Sequence, residues 1–200
     1  MRLSRLTAFL LFGFGWAIAA NATTLLYSAT LSGLNESPVN ASPGTGSVLV
    51  TVDDVSMTMR VQATFQDLLG TTTASHIHCC TAASDTGNAG VATATPSFPL
   101  FPLGVTSGSY DNVFDMTLAS SYNASFLNSA VNSGNPLTAF TTLLGGLDAG
   151  TSYFNVHTSL FPSGEVRGFL HSAPEPGSLA LMCLGLFGIA KTRMRKLLAR

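Results

Sequence analysis

The stretch VSMTMRVQATF, residues 55–65, decides the fold class, because its apolar and polar side chains alternate strictly. One parity carries valine, methionine, alanine and phenylalanine, and the other carries serine, threonine, arginine and glutamine. This period of two is typical of a β-strand with one buried face. Similar patterns predict strands at Leu25–Leu31, Ser47–Val52, Thr72–Cys79, Tyr110–Leu118, Ser152–Thr158 and Glu165–Leu170. Short strands separated by turn residues predict a mainly β fold, specifically an antiparallel β-sandwich.

Two stretches break the alternation and predict one or two short helices. Residues Tyr122–Val131 and Leu137–Leu144 carry apolar side chains three and four positions apart, which is the spacing of one helix face. Gly134 and Gly145 follow these stretches, and glycine is common just beyond the last turn of a helix. We therefore expect the second helix to end at Gly145.

The N-terminal segment MRLSRLTAFLLFGFGWAIAANA, residues 1–22, has the composition of a secretory signal peptide. Two arginines precede an apolar run over residues 6–19, and Ala20-Asn21-Ala22 matches a small-residue cleavage pattern. An uncleaved membrane anchor is the alternative, but the run is short against the roughly 20 apolar residues of a membrane-spanning helix. We expect an N-terminal signal helix that is removed on export.

The C-terminal segment, residues 173–200, has three parts in a fixed order. Pro174-Glu175-Pro176 comes first, an apolar block over 179–190 follows, and the last ten residues contain five Lys and Arg. This order resembles the PEP-CTERM sorting signal of Gram-negative bacteria that make exopolysaccharide. The resemblance implies an apolar helix held transiently in the inner membrane, and recognition of the Pro-Glu-Pro motif by an exosortase-type enzyme. It also implies delivery to the cell surface or the extracellular matrix.

Charge is distributed unevenly between the ends and the middle of the chain. Residues 23–173 contain two basic residues, Arg60 and Arg167, against nine acidic ones, which gives a net charge of −7. Because a nucleic-acid-binding surface needs clustered cations, nucleic acid is not an expected partner. The sequence contains neither a Gly-x-Ser-x-Gly elbow nor a Gly-Lys-Ser/Thr phosphate loop, so we expect no enzyme activity.

The middle of the chain carries several motifs in a characteristic order. They are ATLSG (29–33), NESPV (35–39), His76-Ile77-His78, YFNVHT (153–158) and PSGEVRG (162–168). In this order they resemble the CHRD domain, a module named after chordin and widespread in exported bacterial proteins. The resemblance spans roughly residues 25–170 and implies one CHRD-like sandwich over residues 23–172. Cys79-Cys80-Thr81 and a long Pro/Phe segment depart from the family pattern beside the histidines.

Three histidines form the candidate site. His76 and His78 lie two residues apart on a predicted strand, so their side chains share one face about 7 Å apart along the backbone. His157 lies on a late strand, where Asn155 has the same parity. Three imidazoles from two strands offer the donor set of a copper or zinc site.

Two other interpretations of these histidines remain open. In the first, which we favour, a buried polar network satisfies the ring nitrogens with backbone carbonyls, Asn155 or Glu165, and Arg167 pairs with Glu165 or an aspartate. In the second, the same polar face contacts a ligand directly.

Cys79 and Cys80 are adjacent in a chain that is expected to reach an oxidising compartment. Their Cα atoms are closer than in ordinary disulfides, yet we favour a vicinal disulfide that pins the loop after the strand. Free thiols, a metal thiolate and intermolecular links are the alternatives.

The preferred hypothesis is an exported, non-enzymatic protein of the cell surface or matrix that acts through protein or polysaccharide contacts. Residues 96–105, PSFPLFPLGV, are the candidate contact loop, with a buried cover over a sheet edge as an equal alternative. Under this hypothesis no cofactor is expected. The alternative is a metal-binding (copper or zinc) or oxidoreductase-like domain that uses His76, His78 and His157.

Overall fold

The computed structural model describes residues 24–173, which form one antiparallel sheet and two helices. The strands are β1 (Thr24–Ser32), β2 (Thr45–Asp53), β3 (Thr58–Gln66), β4 (Thr72–His78), β5 (Gly108–Asp115), β6 (Tyr153–Thr158), β7 (Val166–Phe169) and β8 (His171–Ser172). The helices are α1 (Ala124–Leu127) and α2 (Pro136–Asp148). The predicted mainly β class with short helices is confirmed. Strand β8, a two-residue pairing beside β1, was not predicted.

The strands lie in the order β4-β6-β7-β1-β2-β3-β5, and every neighbouring pair is antiparallel. The sheet curls until its two ends face each other across one apolar core. Phe98 joins these ends, because its ring centroid lies 6.2 Å from that of Phe154 on β6 and 5.1 Å from that of Phe114 on β5. The two halves of the curled sheet therefore pack face to face, as the two layers of the predicted sandwich do.

The hairpin between β2 and β3 explains why β3 begins later than the alternation suggests. Asp53 Oδ1 accepts hydrogen bonds from the backbone N–H groups of Val55 and Ser56, at 3.0 and 2.8 Å. Met57 then adopts a positive φ of 51°. Residues 54–57 therefore form the turn, and the strand starts at Thr58. From there the alternation holds, with Met59, Val61, Ala63 and Phe65 buried in the core.

The helices differ from their predicted bounds. Helix α1 is a single turn, and α2 runs past Gly145 to Asp148, so the predicted stop at Gly145 is wrong. The left-handed residue comes later, at Gly150, where φ is 64°. Gly146 lies inside the helix because the cysteine pair packs against it: an added Cβ would lie 2.5 Å from Cys79 Sγ. Gly146 thus marks a close contact rather than a helix end.

Residues 91–105, here called the cover segment, run along the free edge of β4. Backbone N–H groups of Ala92, Phe98 and Gly104 donate to the carbonyls of Ile77, Ser75 and Thr72, respectively, at 2.8–3.0 Å. The segment therefore protects an edge that would otherwise expose unpaired backbone groups. Phe98 and Phe101 are buried, whereas Leu100 is 91% exposed. The buried phenylalanines thus anchor a cover over the sheet edge, and the contact role of residues 96–105 stays a prediction.

Several predictions lie outside the described residues. These are the signal peptide at 1–22, the Pro-Glu-Pro motif at 174–176 and the apolar block at 179–190. Within residues 24–173, neither helix is long and apolar enough to cross a membrane.

The cover segment supplies a direct test of the fold. Phe98→Ala should lower the free energy of unfolding by about 3–5 kcal/mol, because the ring fills the space between the two ends of the sheet. Leu100→Ala, two residues away and exposed, should change it by less than about 0.5 kcal/mol. Urea denaturation of the purified protein measures both values. Equal effects of the two substitutions would contradict the assignment of Phe98 to the core.

Candidate metal centre

The pairing of β4 with β6 brings three histidines together on the face of the sheet that lies opposite the apolar core. The register aligns His76 with Asn155, His78 with Tyr153, and Ala74 with His157. Because paired residues share a face and alternate residues return to it, all three imidazoles project from the same side. We call His76, His78 and His157 the histidine triangle.

Each imidazole is held by one backbone carbonyl through one nitrogen. His76 Nε2 lies 2.7 Å from Pro96 O, His78 Nδ1 lies 2.9 Å from Ala89 O, and His157 Nδ1 lies 3.0 Å from Pro162 O. A carbonyl oxygen only accepts hydrogen bonds, so the nitrogen that faces it carries the proton. In a neutral ring the second nitrogen then has a free lone pair.

The second nitrogens are buried and without hydrogen-bond partners among residues 24–173. They are His76 Nδ1, His78 Nε2 and His157 Nε2. The three residues offer one ligand atom each, all within 4.8 Å of one another. A buried polar atom without a partner costs free energy, and three in one place call for an explanation. A metal ion at the centre of the histidine triangle would satisfy all three.

The ring positions match those of imidazoles around one ion. The ring centroids are separated by 5.2, 5.7 and 5.8 Å, which is close to an equilateral triangle. Three imidazoles whose nitrogens lie about 2.0–2.1 Å from a shared ion place their centroids roughly 5.5 Å apart. The carbonyls that hold the outer nitrogens correspond to the usual second shell of a histidine-bound metal, which fixes the tautomer and the ring orientation.

Burial keeps the three rings neutral. It lowers the pKa of His78 to about 4, and the positive charge of Arg167 acts in the same direction. Burial also lowers the pKa values of His76 and His157, although hydrogen bonds to the carbonyls of Pro96 and Pro162 oppose the change. Neutral imidazole is the form that binds metals, so the site needs little deprotonation at pH 7.

A stack of side chains supports one corner of the triangle. The ring of Tyr153 lies parallel to that of His78, with 4.7 Å between centroids and 5° between planes. The Arg167 guanidinium lies 4.5 Å from the centroid of Tyr153. Tyr153 Oη also hydrogen-bonds to Ala89, whose carbonyl holds His78. The orientation of His78 is therefore fixed from two directions.

Arg167 is buried and pairs with an acid that the sequence did not suggest. Its Nη1 donates to Asn88 Oδ1 at 2.7 Å, and its Nε donates to Asn35 O and lies 3.8 Å from Glu36 Oε2. Burial raises the pKa of Glu36 to about 7, against the opposing effect of Arg167. The expected pairing of Arg167 with Glu165 or an aspartate is therefore wrong.

Glu165 does not join the histidines either. Its carboxylate points to the other face, where it accepts hydrogen bonds from Ser42, Thr158 and the backbone N–H groups of Leu69 and Gly70. Parity across the turn misplaced it because strand β7 begins only at Val166. Asn155 does lie on the histidine face, but its Oδ1 has no partner among the described residues. Of the predicted network, only the backbone carbonyls hold the rings.

Cys79 and Cys80 form a vicinal disulfide directly after β4. Their sulfur atoms pack against Gly146 of α2, where an added Cβ would lie within 2.7 Å of both. The disulfide therefore joins the end of the histidine-bearing strand to the helix. As a disulfide, neither sulfur is available as a thiolate ligand.

Sequence reasoning missed Tyr153, Glu36 and the three carbonyls that orient the rings. Tyr153 was recognisable because it has the same parity as His157 on β6, but the sequence did not indicate that its ring stacks on His78. The three carbonyls belong to loop residues. Because every residue type has a backbone carbonyl, the sequence does not mark these positions, although two of the three residues are prolines.

Comparison with known families agrees with this architecture. The family model of the CHRD domain matches residues 27–170, and that of the PEP-CTERM protein-sorting motif matches residues 172–196. The chain is thus a mainly β module, and it belongs to the CHRD domain family. Its motif implies a C-terminal tail that passes the membrane of a Gram-negative bacterium and is processed by an exosortase-type enzyme. Neither family is an enzyme family. Searches of curated proteins and of solved structures found no match.

Proposed function

We propose that this exported CHRD protein binds one transition-metal ion through His76, His78 and His157. The observation that carries the proposal is the set of three converging imidazole nitrogens, each buried and without a partner, while the opposite nitrogen of each ring is held by a carbonyl. A structural network would use both nitrogens of each ring, so the arrangement favours metal binding over that interpretation.

Copper and zinc are the ions that the donor set fits best. Imidazole nitrogen is a common ligand of both, and the ring separations agree with their short metal–nitrogen bonds. The ion would cross-link β4 and β6. Metal binding of this kind stabilises the folded state by mass action.

The metal content of the purified protein tests this proposal. The full chain, exported to the periplasm of a Gram-negative host supplied with copper and zinc, should contain about one ion per chain by elemental analysis. His76→Gln and His157→Gln should each reduce that content to below roughly a tenth, because two imidazoles hold an ion far less firmly than three.

His171→Gln is the matched control for these variants. His171 is the fourth histidine of the chain, and its Nε2 lies 2.7 Å from Asp85 at the surface, outside the triangle. Its replacement should leave the metal content unchanged. Wild-type protein without bound copper, zinc or iron, or equal loss in the His171 variant, would refute the proposal.

We propose further that the domain makes its surface contacts through the exposed leucines of the cover segment. Leu100 and Leu103 are 91% and 52% exposed although they flank the buried Phe101. A rigidly anchored turn with apolar tips is suited to contact with a surface protein or polysaccharide. In this account the domain acts by binding, without catalysis.

Retention on intact cells tests the contact hypothesis. The double variant Leu100→Ser and Leu103→Ser should be released into the medium several-fold more than the wild type, because its apolar contact is lost. The single variant Leu160→Ser is the control, since Leu160 is 64% exposed in a different loop. Unchanged retention of the double variant would remove the cover segment as the contact surface.

A further inference from the structure

We propose that the histidine triangle is selective for a monovalent ion, copper(I), over zinc(II) and copper(II). This inference rests on the proposed metal-binding function and specifies the ion. It follows from the charge, the burial and the number of the ligands.

The ligands supply no negative charge. Among the described residues, the cluster contains three histidines and neither a carboxylate nor a thiolate. Two buried acids, Glu165 and Glu36, interact with other groups instead. Glu165 accepts hydrogen bonds from four donors on the other face, and Glu36 lies beside Arg167. The whole charge of a bound ion therefore stays uncompensated within the site.

The site is also poorly accessible to water. His76 and His78 are 6% and 7% exposed, and the three free nitrogens are shielded from solvent. The Born cost of moving an ion out of water rises with the square of its charge, so a divalent ion pays about four times the cost of a monovalent one. The three neutral imidazoles add no negative charge to compensate that difference.

A fixed positive charge lies behind one ligand. Arg167, 3% exposed, contacts the ring of Tyr153, which stacks on His78. Because Coulomb repulsion is proportional to the charge of the ion, the field of Arg167 disfavours a divalent ion about twice as much as a monovalent one. Glu36, at 3.8 Å from Arg167, reduces this effect.

The number of donor atoms also favours copper(I) over zinc(II). Zinc(II) bound by three protein ligands keeps a water or substrate as a fourth ligand, which requires open space at the metal. Copper(I) is satisfied by three donors in a trigonal arrangement, without a fourth ligand. The near-equilateral triangle provides three donors, and their free nitrogens are shielded from solvent, although His157 itself is only half-buried.

Competition for the two ions tests the inference. The exported full chain is titrated under nitrogen with copper(I), kept reduced by ascorbate, against a chromophoric copper(I) chelator, and separately with zinc(II) against a chromophoric zinc chelator. The copper(I) affinity should exceed the zinc(II) affinity by about a hundredfold or more, a difference of roughly 2.7 kcal/mol. The copper-loaded protein should also remain silent in electron paramagnetic resonance after exposure to air.

Arginine variants test the electrostatic cause. Replacing Arg167 and Glu36 together with glutamine removes the buried charges without leaving one unpaired, and should narrow the copper(I)-to-zinc(II) ratio by roughly three- to tenfold. The control pair Arg60→Gln and Asp111→Asn removes an exposed ion pair on β3 and β5, and should leave the ratio unchanged. Circular dichroism verifies that both double variants fold.

The possible failures are distinguishable. If zinc(II) binds one to one at least as tightly as copper(I), or if air produces a full copper(II) signal, the selectivity is refuted while the metal site stands. If neither ion binds the wild type, both the selectivity and the proposed function are refuted.

Discussion

The antiparallel pairing of β4 with β6 is the constraint on which the rest of the site depends. That register places Ala74 opposite His157 and His76 opposite Asn155, so one imidazole of β6 falls between two of β4. A shift of one residue would turn the histidines of one strand toward the apolar core. Ile77, Phe154 and Val156, fully buried on the other face, prevent such a shift because they would move to the polar side. The apolar core therefore holds the polar site in register.

Three loops fix the orientation of the histidine rings that the strands bring together. Pro96 belongs to the cover segment, Ala89 to the loop before it, and Pro162 to the turn between β6 and β7; each contributes a carbonyl that fixes one ring. The same cover segment inserts Phe98 between the two ends of the curled sheet. Closure of the fold and orientation of the ligands are thus achieved by one stretch of chain. The disulfide between Cys79 and Cys80 adds a link from the end of β4 to helix α2.

The sequence predicted the strands well because alternation is a local property, and residues 58–65 illustrate this directly. It also predicted that His76 and His78 share a face, since that requires only parity. The pairing of β4 with β6, which brings His157 to the same face, comes from the structure. It misplaced Glu165 because the alternation of side chains was extended across the turn between β6 and β7. Regular strand geometry resumes only at Val166, so the alternation does not apply to Glu165. It misjudged the end of α2 because Gly146 is required by close packing against Cys79, which is distant in sequence, and not by a helix end. Which nitrogen of each ring carries the proton depends on the loop carbonyls, and their positions cannot be predicted from residue types.

The central physical claim is that three imidazole lone pairs point at one metal ion. X-ray absorption spectroscopy at the absorption edge of the bound metal tests it most directly, because it measures the number and type of the metal's ligands. The account predicts three nitrogen scatterers at about 2.0 Å with the outer-shell pattern of imidazole and without sulfur. A first shell of oxygen atoms alone, or one containing sulfur from Cys79 or Cys80, would contradict it.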